Sequence, residues 1–188
     1  MANKIKYGLK NVHYAVITEG ENGSVTYDTP VKIPGAVSMS LSARGDRTEF
    51  YADDQLYYTE SANDGYEGDL EFALIPDDFK KDVLGYKEDV NGVLFEDSNV
   101  TPKNFAVLFE FSGDKNAVRH ILYNVNASRP NLESSSTTNT KEPVTETISI
   151  VASPAPDTGM VKAKVEPGSA QYETWYQQVY TYVDPVEE

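Results

Sequence analysis

Apolar and polar residues alternate with a period of two over several short stretches of this chain, and turn-forming residues separate the stretches. Val37, Met39 and Leu41 fall on one side of a strand whose other side is Ser38, Ser40 and Ser42. Tyr66, Leu70, Phe72 and Leu74 likewise oppose Glu67, Asp69 and Glu71, and Val144, Glu146, Ile148 and Ile150 oppose Thr145, Thr147 and Ser149. Further strands are predicted at 12–17, 25–27, 92–95, 105–112 and 120–127, with Asn22-Gly23 marking a hairpin turn after the first. Pro30 and Pro34 suit a strand start or a sheet edge. The pattern is that of a mainly β chain.

Two segments read as helices. The first, Pro76 to Gly85, has proline and acids in its first turn, glycine at its end, and a short stripe of Phe79, Val83 and Leu84. The second begins at Pro167-Gly168-Ser169 and places Tyr172, Trp175, Tyr176 and Val179 at helical spacing. Between the strands at 37–42 and 66–74 lies the segment 44–65, far longer than a hairpin loop. Phe50, Tyr51, Leu56, Tyr57 and Tyr58, set among Asp53, Asp54 and Glu60, make it too aromatic for a disordered linker. It is expected to be an extended arm that orders against a partner. Loops are expected at 132–143, which is rich in Ser and Thr, and at 153–159.

Composition removes whole classes of function. With 188 residues, 39% of them hydrophobic, the chain can build a core without staples, and its lack of cysteine excludes disulfides, thiolate metal sites and cysteine nucleophiles. Sixteen basic against 30 acidic residues give a net charge of -14. A protein this acidic does not hold nucleic acid by neutralising phosphates. The amino terminus lacks the apolar run of a secretory signal, and no run reaches membrane-spanning length, so no membrane association is expected.

Candidate chemistry is thin. His13 and His120 sit in separate strands and read as hydrogen-bonded strand histidines, so neither metal nor cofactor is expected. Asp157-Thr158-Gly159 copies the aspartic-protease tripeptide, but in an ordinary turn context, and no nucleophile elbow is present. Arg44-Gly45-Asp46 reads as a turn, and the sequons at Asn22, Asn99 and Asn126 mean nothing without secretion. The acidic pairs Asp53-Asp54, Asp77-Asp78 and Glu96-Asp97 lack the spaced oxygens of a calcium loop. What remains is distribution. The polar strand faces carry hydroxyls and carboxylates and no basic residue. A sheet with one face in water accounts for that. So does a sheet lining a water-filled tube made by several copies, because a channel for DNA must not grip phosphates.

The order of segments carries a resemblance. Gly8-Leu9-Lys10-Asn11-Val12-His13-Tyr14-Ala15 opens the chain, and Ile33-Pro34-Gly35-Ala36-Val37 leads into the serine strand. Then come Phe50-Tyr51-Ala52-Asp53-Asp54, Gly65-Tyr66-Glu67-Gly68-Asp69-Leu70 and Ile75-Pro76-Asp77-Asp78-Phe79. This resembles the phi13-type major tail proteins of long, non-contractile-tailed bacteriophages of Gram-positive hosts. The resemblance implies a non-enzymatic virion protein with a tail-tube β-sandwich or barrel, one short flanking helix and a short C-terminal helix. It implies a single unit over 1–188, with 44–65 as an inter-ring arm and 153–188 as a C-terminal extension. It further implies rings of six copies, stacked into a homo-oligomeric tube through which DNA passes without being tightly bound. The implied partners are tape-measure, tail-terminator and tail-tip or baseplate proteins, after synthesis in the host cytoplasm.

The expected arm contacts are Phe50, Tyr51, Asp53, Asp54, Leu56, Tyr57 and Tyr58. Alternation, not the resemblance, assigns Ser38, Ser40, Ser42, Glu67, Asp69, Glu71, Thr145, Thr147 and Ser149 to the lumen. Two other readings stay open. One is a monomeric carbohydrate-binding or adhesin module with Trp175, Tyr176 and Tyr57 as an aromatic platform. The other is an aspartic hydrolase centred on Asp157.

Overall fold

The computed structural model describes residues 8–20, 23–114, 116–134 and 144–184. The hairpin turn expected at Asn22 and most of the loop expected at 132–143 lie outside them. Among the described residues, thirteen strands and one helix follow in order: β1 (Leu9–Glu19), β2 (Val25–Tyr27), β3 (Val31–Lys32), β4 (Ala36–Arg44), β5 (Arg47–Ala52), β6 (Gln55–Ser61), β7 (Gly65–Phe72), α1 (Asp77–Asp82), β8 (Lys87–Glu88), β9 (Leu94–Phe95), β10 (Phe105–Phe111), β11 (Arg119–Ala127), β12 (Glu146–Ser153) and β13 (Lys162–Val165). The chain is mainly β, as the alternation requires, and every strand pairing is antiparallel.

Nine strands form one sheet in the order β2-β1-β10-β11-β12-β7-β4, with β3 also beside β1 and β13 also beside β11. The sheet curls until β1 and β4 approach each other, but β4 pairs only with β7, so the curl stays open. Its concave side holds the larger core, where Val12, Tyr14, Leu70, Phe72, Phe105, Val107, Val125, Ile148 and Ile150 meet. α1 plugs this core with Phe79, whose ring stands edge-on to Tyr14 at 5.1 Å and to Phe105 at 5.4 Å. The Tyr14 hydroxyl donates to Asp82 at 2.7 Å, and burial followed by that carboxylate pushes its pKa upward.

β10 explains its own composition. Phe105, Val107 and Phe109 enter the first core, while Ala106 and Leu108 enter a second core on the convex side with Ala15, Ile121, Tyr123 and Trp175. A strand buried on both faces reads as an unbroken apolar run. Two bulges shift the parity of its neighbours. Asn11, at φ 52, is the extra residue in β1, and β11 fits Leu122 to Val125 against Val107 to Phe105. The bulge in β1 also brings Asn11 within 2.5 Å of the buried Glu110, which Lys10 reaches at 3.3 Å and Arg119 at 3.7 Å.

The segment after Pro167 corrects an expectation. It is not a helix but a run of tight turns, with Ser169, Tyr172 and Trp175 each donating a backbone N–H to the carbonyl three residues back. The expected spacing still works, because Tyr172, Trp175, Tyr176 and Val179 all face the convex side of the sheet. Contacts with the sheet fix this conformation. Arg119 lies over the Tyr172 ring at 3.8 Å, Tyr172 donates to the Ala117 carbonyl, and Tyr123 donates to that of Tyr180. Aromatic residues and threonine have modest helix propensity, so packing decides.

Three residues expected on the inner side of their strands are exposed. Val37 is the extra residue of a bulge between Ala36 and Ser38 and is 46% exposed. Leu74 lies beyond the end of β7 and is 64% exposed, and Val144 lies before the start of β12 and is 45% exposed. Glu146, also placed inward by alternation, takes the backbone N–H of Ile75 at 2.8 Å, which satisfies both groups at the sheet's end.

Candidate functional site

β4, β7 and β12 are neighbours, and their registers set the expected polar residues side by side. Ser38, Glu71 and Thr147 form one row across the three strands, and Ser40, Asp69 and Ser149 form the next. Ser42 and Glu67 begin a third row that Val151 completes. Beneath them, on the opposite parity, Leu70, Ile148 and Ile150 are buried and Met39 and Leu41 pack against the core. One side of this three-stranded sheet is therefore oily and the other is an acidic, hydroxyl-rich surface in water.

Hydroxyls hold the carboxylates in place. Ser38 donates to Glu71 at 2.7 Å, Thr145 donates to the other oxygen of Glu71 at 2.5 Å, and Ser149 donates to Asp69 at 2.7 Å. The bond from Thr145, then that from Ser38, draws the Glu71 pKa below its ordinary value and keeps it anionic. Thr145 itself precedes β12 and takes part through this bond rather than through the ladder. Arg44 adds a cation to the surface, against the expectation of none. β4 runs two residues beyond Ser42, which sets Arg44 on the same parity, and its Nε lies 3.4 Å from Glu67. Arg129 stands near the border, in a cleft of about 390 Å³ that includes Asp69, Glu133, Thr147 and Ser149, and its guanidinium is paired with Glu96 at 2.6 Å.

At the Arg44 end, β4 and β7 continue into a separate hairpin, β5–β6. Gly45 and Gly65 form its base, both at positive φ. A β-carbon would meet the Ala62 carbonyl oxygen at 2.0 Å in the first case and the Ala152 carbonyl oxygen at 1.8 Å in the second. Only glycine fits such an approach. Asp53 and Asp54 make the two-residue turn at φ 52 and 58, left-handed values that aspartate tolerates. Phe50 pairs with Tyr58 and Tyr51 with Leu56, which leaves Tyr57 as the extra residue of a bulge. All five are exposed, Tyr57 to 77%. Their polar contacts stay within the hairpin, where Tyr51 donates to Glu49 and Tyr58 to Glu60.

The residues of the other readings are elsewhere. Trp175 is 2% exposed under the convex side, so it cannot offer a face to a sugar, and Tyr176 stacks on His13 at 4.5 Å. Tyr57 is at the arm. Asp157 stands in a turn closed by the Gly159 N–H on the Ala155 carbonyl.

A family model described as phage tail tube protein matches residues 2–188. No curated protein matches the chain. Among solved structures, it is similar to the anti-feeding prophage cap (the tube-terminating cap) seen by cryo-EM. That similarity has 10% identity and a TM-score of 0.47, and covers 88% of this chain and 95% of that one. With the family model spanning nearly all of it, and with an acidic strand face and a protruding hairpin on one sheet, the chain belongs to the phage tail tube protein family.

Proposed function

We propose that this chain is the repeating subunit of a long, non-contractile phage tail, a phi13-type major tail protein. Copies form a ring, of six on the family's pattern, and rings stack into a conduit for DNA. The observation that carries the reading is the polar surface of β4, β7 and β12. Glu71 and Asp69 are held by hydroxyls and Arg44 is paired with Glu67, so the surface is dominated by carboxylates and repels a passing polyanion. This surface would face the bore. The free edge of β4 beside it offers unpaired backbone groups to a neighbouring copy, and closing the ring would remove an edge that otherwise invites aggregation. The segment 44–65 would reach the next ring, with Phe50, Tyr51, Asp53, Asp54, Leu56, Tyr57 and Tyr58 as its contacts. The remainder of 1–188, including the extension at 153–188, forms the body of the unit.

The subunit would be made in the host cytoplasm and end in the virion. Its partners would be further copies, a tape-measure protein, a tail terminator and tail-tip or baseplate proteins. Its net charge of -14 keeps free subunits apart until assembly is nucleated. Electron microscopy of the purified protein tests the reading. Rings or tubes of uniform diameter are expected, and a persistent monomer under all assembly conditions would overturn it. Reversal of Glu67, Asp69 and Glu71 to Lys should still give tubes but slow DNA ejection from phage that carry them.

A further inference from the structure

On the β4, β7 and β12 segments, Val37, Leu74 and Val144 are positions where alternation along the sequence demands burial and the structure leaves the side chain in water. They are not scattered. Ala36 and Glu146 both pair with Phe72, and the Ala73 N–H bonds the Gly35 carbonyl, so all three residues gather at one end of the β4-β7-β12 sheet. The arm leaves from the opposite end of the same strands, past Arg44 and Gly65. A place where a sequence breaks its own local rule is where an outside contact is to be sought. The geometry points to one: the apolar end formed by Val37, Leu74 and Val144 receives the β5–β6 arm of a second copy. This rests on the tube reading and names the surface that the arm meets.

The two ends fit in kind and direction. The four arm aromatics, between 53% and 77% exposed, present on the order of 500 Å² of ring surface over the two faces of the hairpin, at about 200 Å² per aromatic side chain, with Phe50 paired with Tyr58 and its neighbour Tyr51 on the other face. That is more than half of the roughly 800 Å² per partner that a specific interface buries, whereas exposed apolar side chains set singly need no partner. The seven residues of β6 give the arm a length of roughly 20 Å, enough to reach a neighbour's near end and run some way along it. Because donor and acceptor lie at opposite ends of one sheet, each contact leaves a free arm at one side and a free acceptor at the other. Such a heterologous contact repeats without closing and generates a stack.

Complementary defects test this directly. Tyr57→Glu disables the arm and Leu74→Glu disables the acceptor. Both positions are exposed, and circular dichroism checks that both variants fold. Each alone should lose at least tenfold in pelletable polymer. Mixed, they should form bounded particles one contact deep and no tubes, because one intact arm meets one intact acceptor. Polymer from Leu74→Glu at the unmodified level, or a mixture whose components stay separate, overturns the assignment. The chain has no cysteine, so a Thr59→Cys/Ala73→Cys variant, which keeps Tyr57 and Leu74 and places thiols at exposed positions beside them, offers a second measurement. In tubes, a short bis-maleimide should give a ladder of covalent multimers that neither single variant gives. Tubes without the ladder overturn this contact and leave the tube reading standing. Failure of the unmodified chain to form tubes overturns both.

Discussion

The same two runs of chain make two very different ladders. As β4 and β7 they lie over a core, with Leu70 and Phe72 buried and Met39 and Leu41 packed beside them. Beyond Gly45 and Gly65 they continue as β5 and β6, where Phe50, Tyr51, Leu56, Tyr57 and Tyr58 are as apolar but cover nothing. An isolated two-stranded hairpin is marginal in water. The contrast therefore separates residues that serve the subunit from residues that serve its neighbours, and each half can be broken alone.

The largest effect on stability is expected in the first ladder. Phe72→Ala, at a position with no exposure, should cost about 3–5 kcal/mol in a denaturant titration. At the junction, Gly65→Ala forces a β-carbon against the Ala152 carbonyl at positive φ and should cost about 1–3 kcal/mol by the same measurement. In the second ladder, Tyr57→Ser should change subunit stability by no more than about 0.5 kcal/mol while abolishing assembly in a sedimentation assay. Were Tyr57→Ser to unfold the subunit, the arm would belong to the core and the contrast would fail.

Much of this was open to a reader of the sequence. The alternation at 37–42, 66–74 and 144–152 needs only the period of a strand, and the proline and acids before Phe79 announce α1. Two kinds of feature were hidden. Bulges at Asn11, Val37 and Tyr57 each add one residue to a strand, and a period of two carries no mark of where the count slips. Strand order depends on contacts between distant segments, so nothing local says that Ser38, Glu71 and Thr147 share a row. Helical spacing in 172–179 was genuine as a facing pattern but silent about backbone, because a series of turns held by Arg119 and the sheet presents the same side chains. Arg44 read as the start of a turn, whereas the strand runs two residues past its last serine and sets it on the polar face.

The smallest expected effect sharpens the description of the polar face. The folded-state pKa of Glu71 is depressed by hydroxyl donors, so its contribution to stability is present above the unfolded carboxylate value. It is lost as pH falls through the lower folded value. The Glu71 contribution should be flat above about pH 5 and decline only under more acid conditions. Thr145→Ala should move the Glu71 titration, followed by NMR, upward toward the ordinary value. An unmoved titration would mean that the hydroxyl does not hold the carboxylate.

The central claim is that the acidic, hydroxyl-bearing surface of β4, β7 and β12 faces a bore enclosed by many copies. A cryo-EM reconstruction of the assembled protein measures this directly. The account predicts a hollow tube with Ser40, Asp69 and Ser149 on its inner wall. A tube whose inner wall is another surface, with those three residues facing outward or buried between copies, would contradict it.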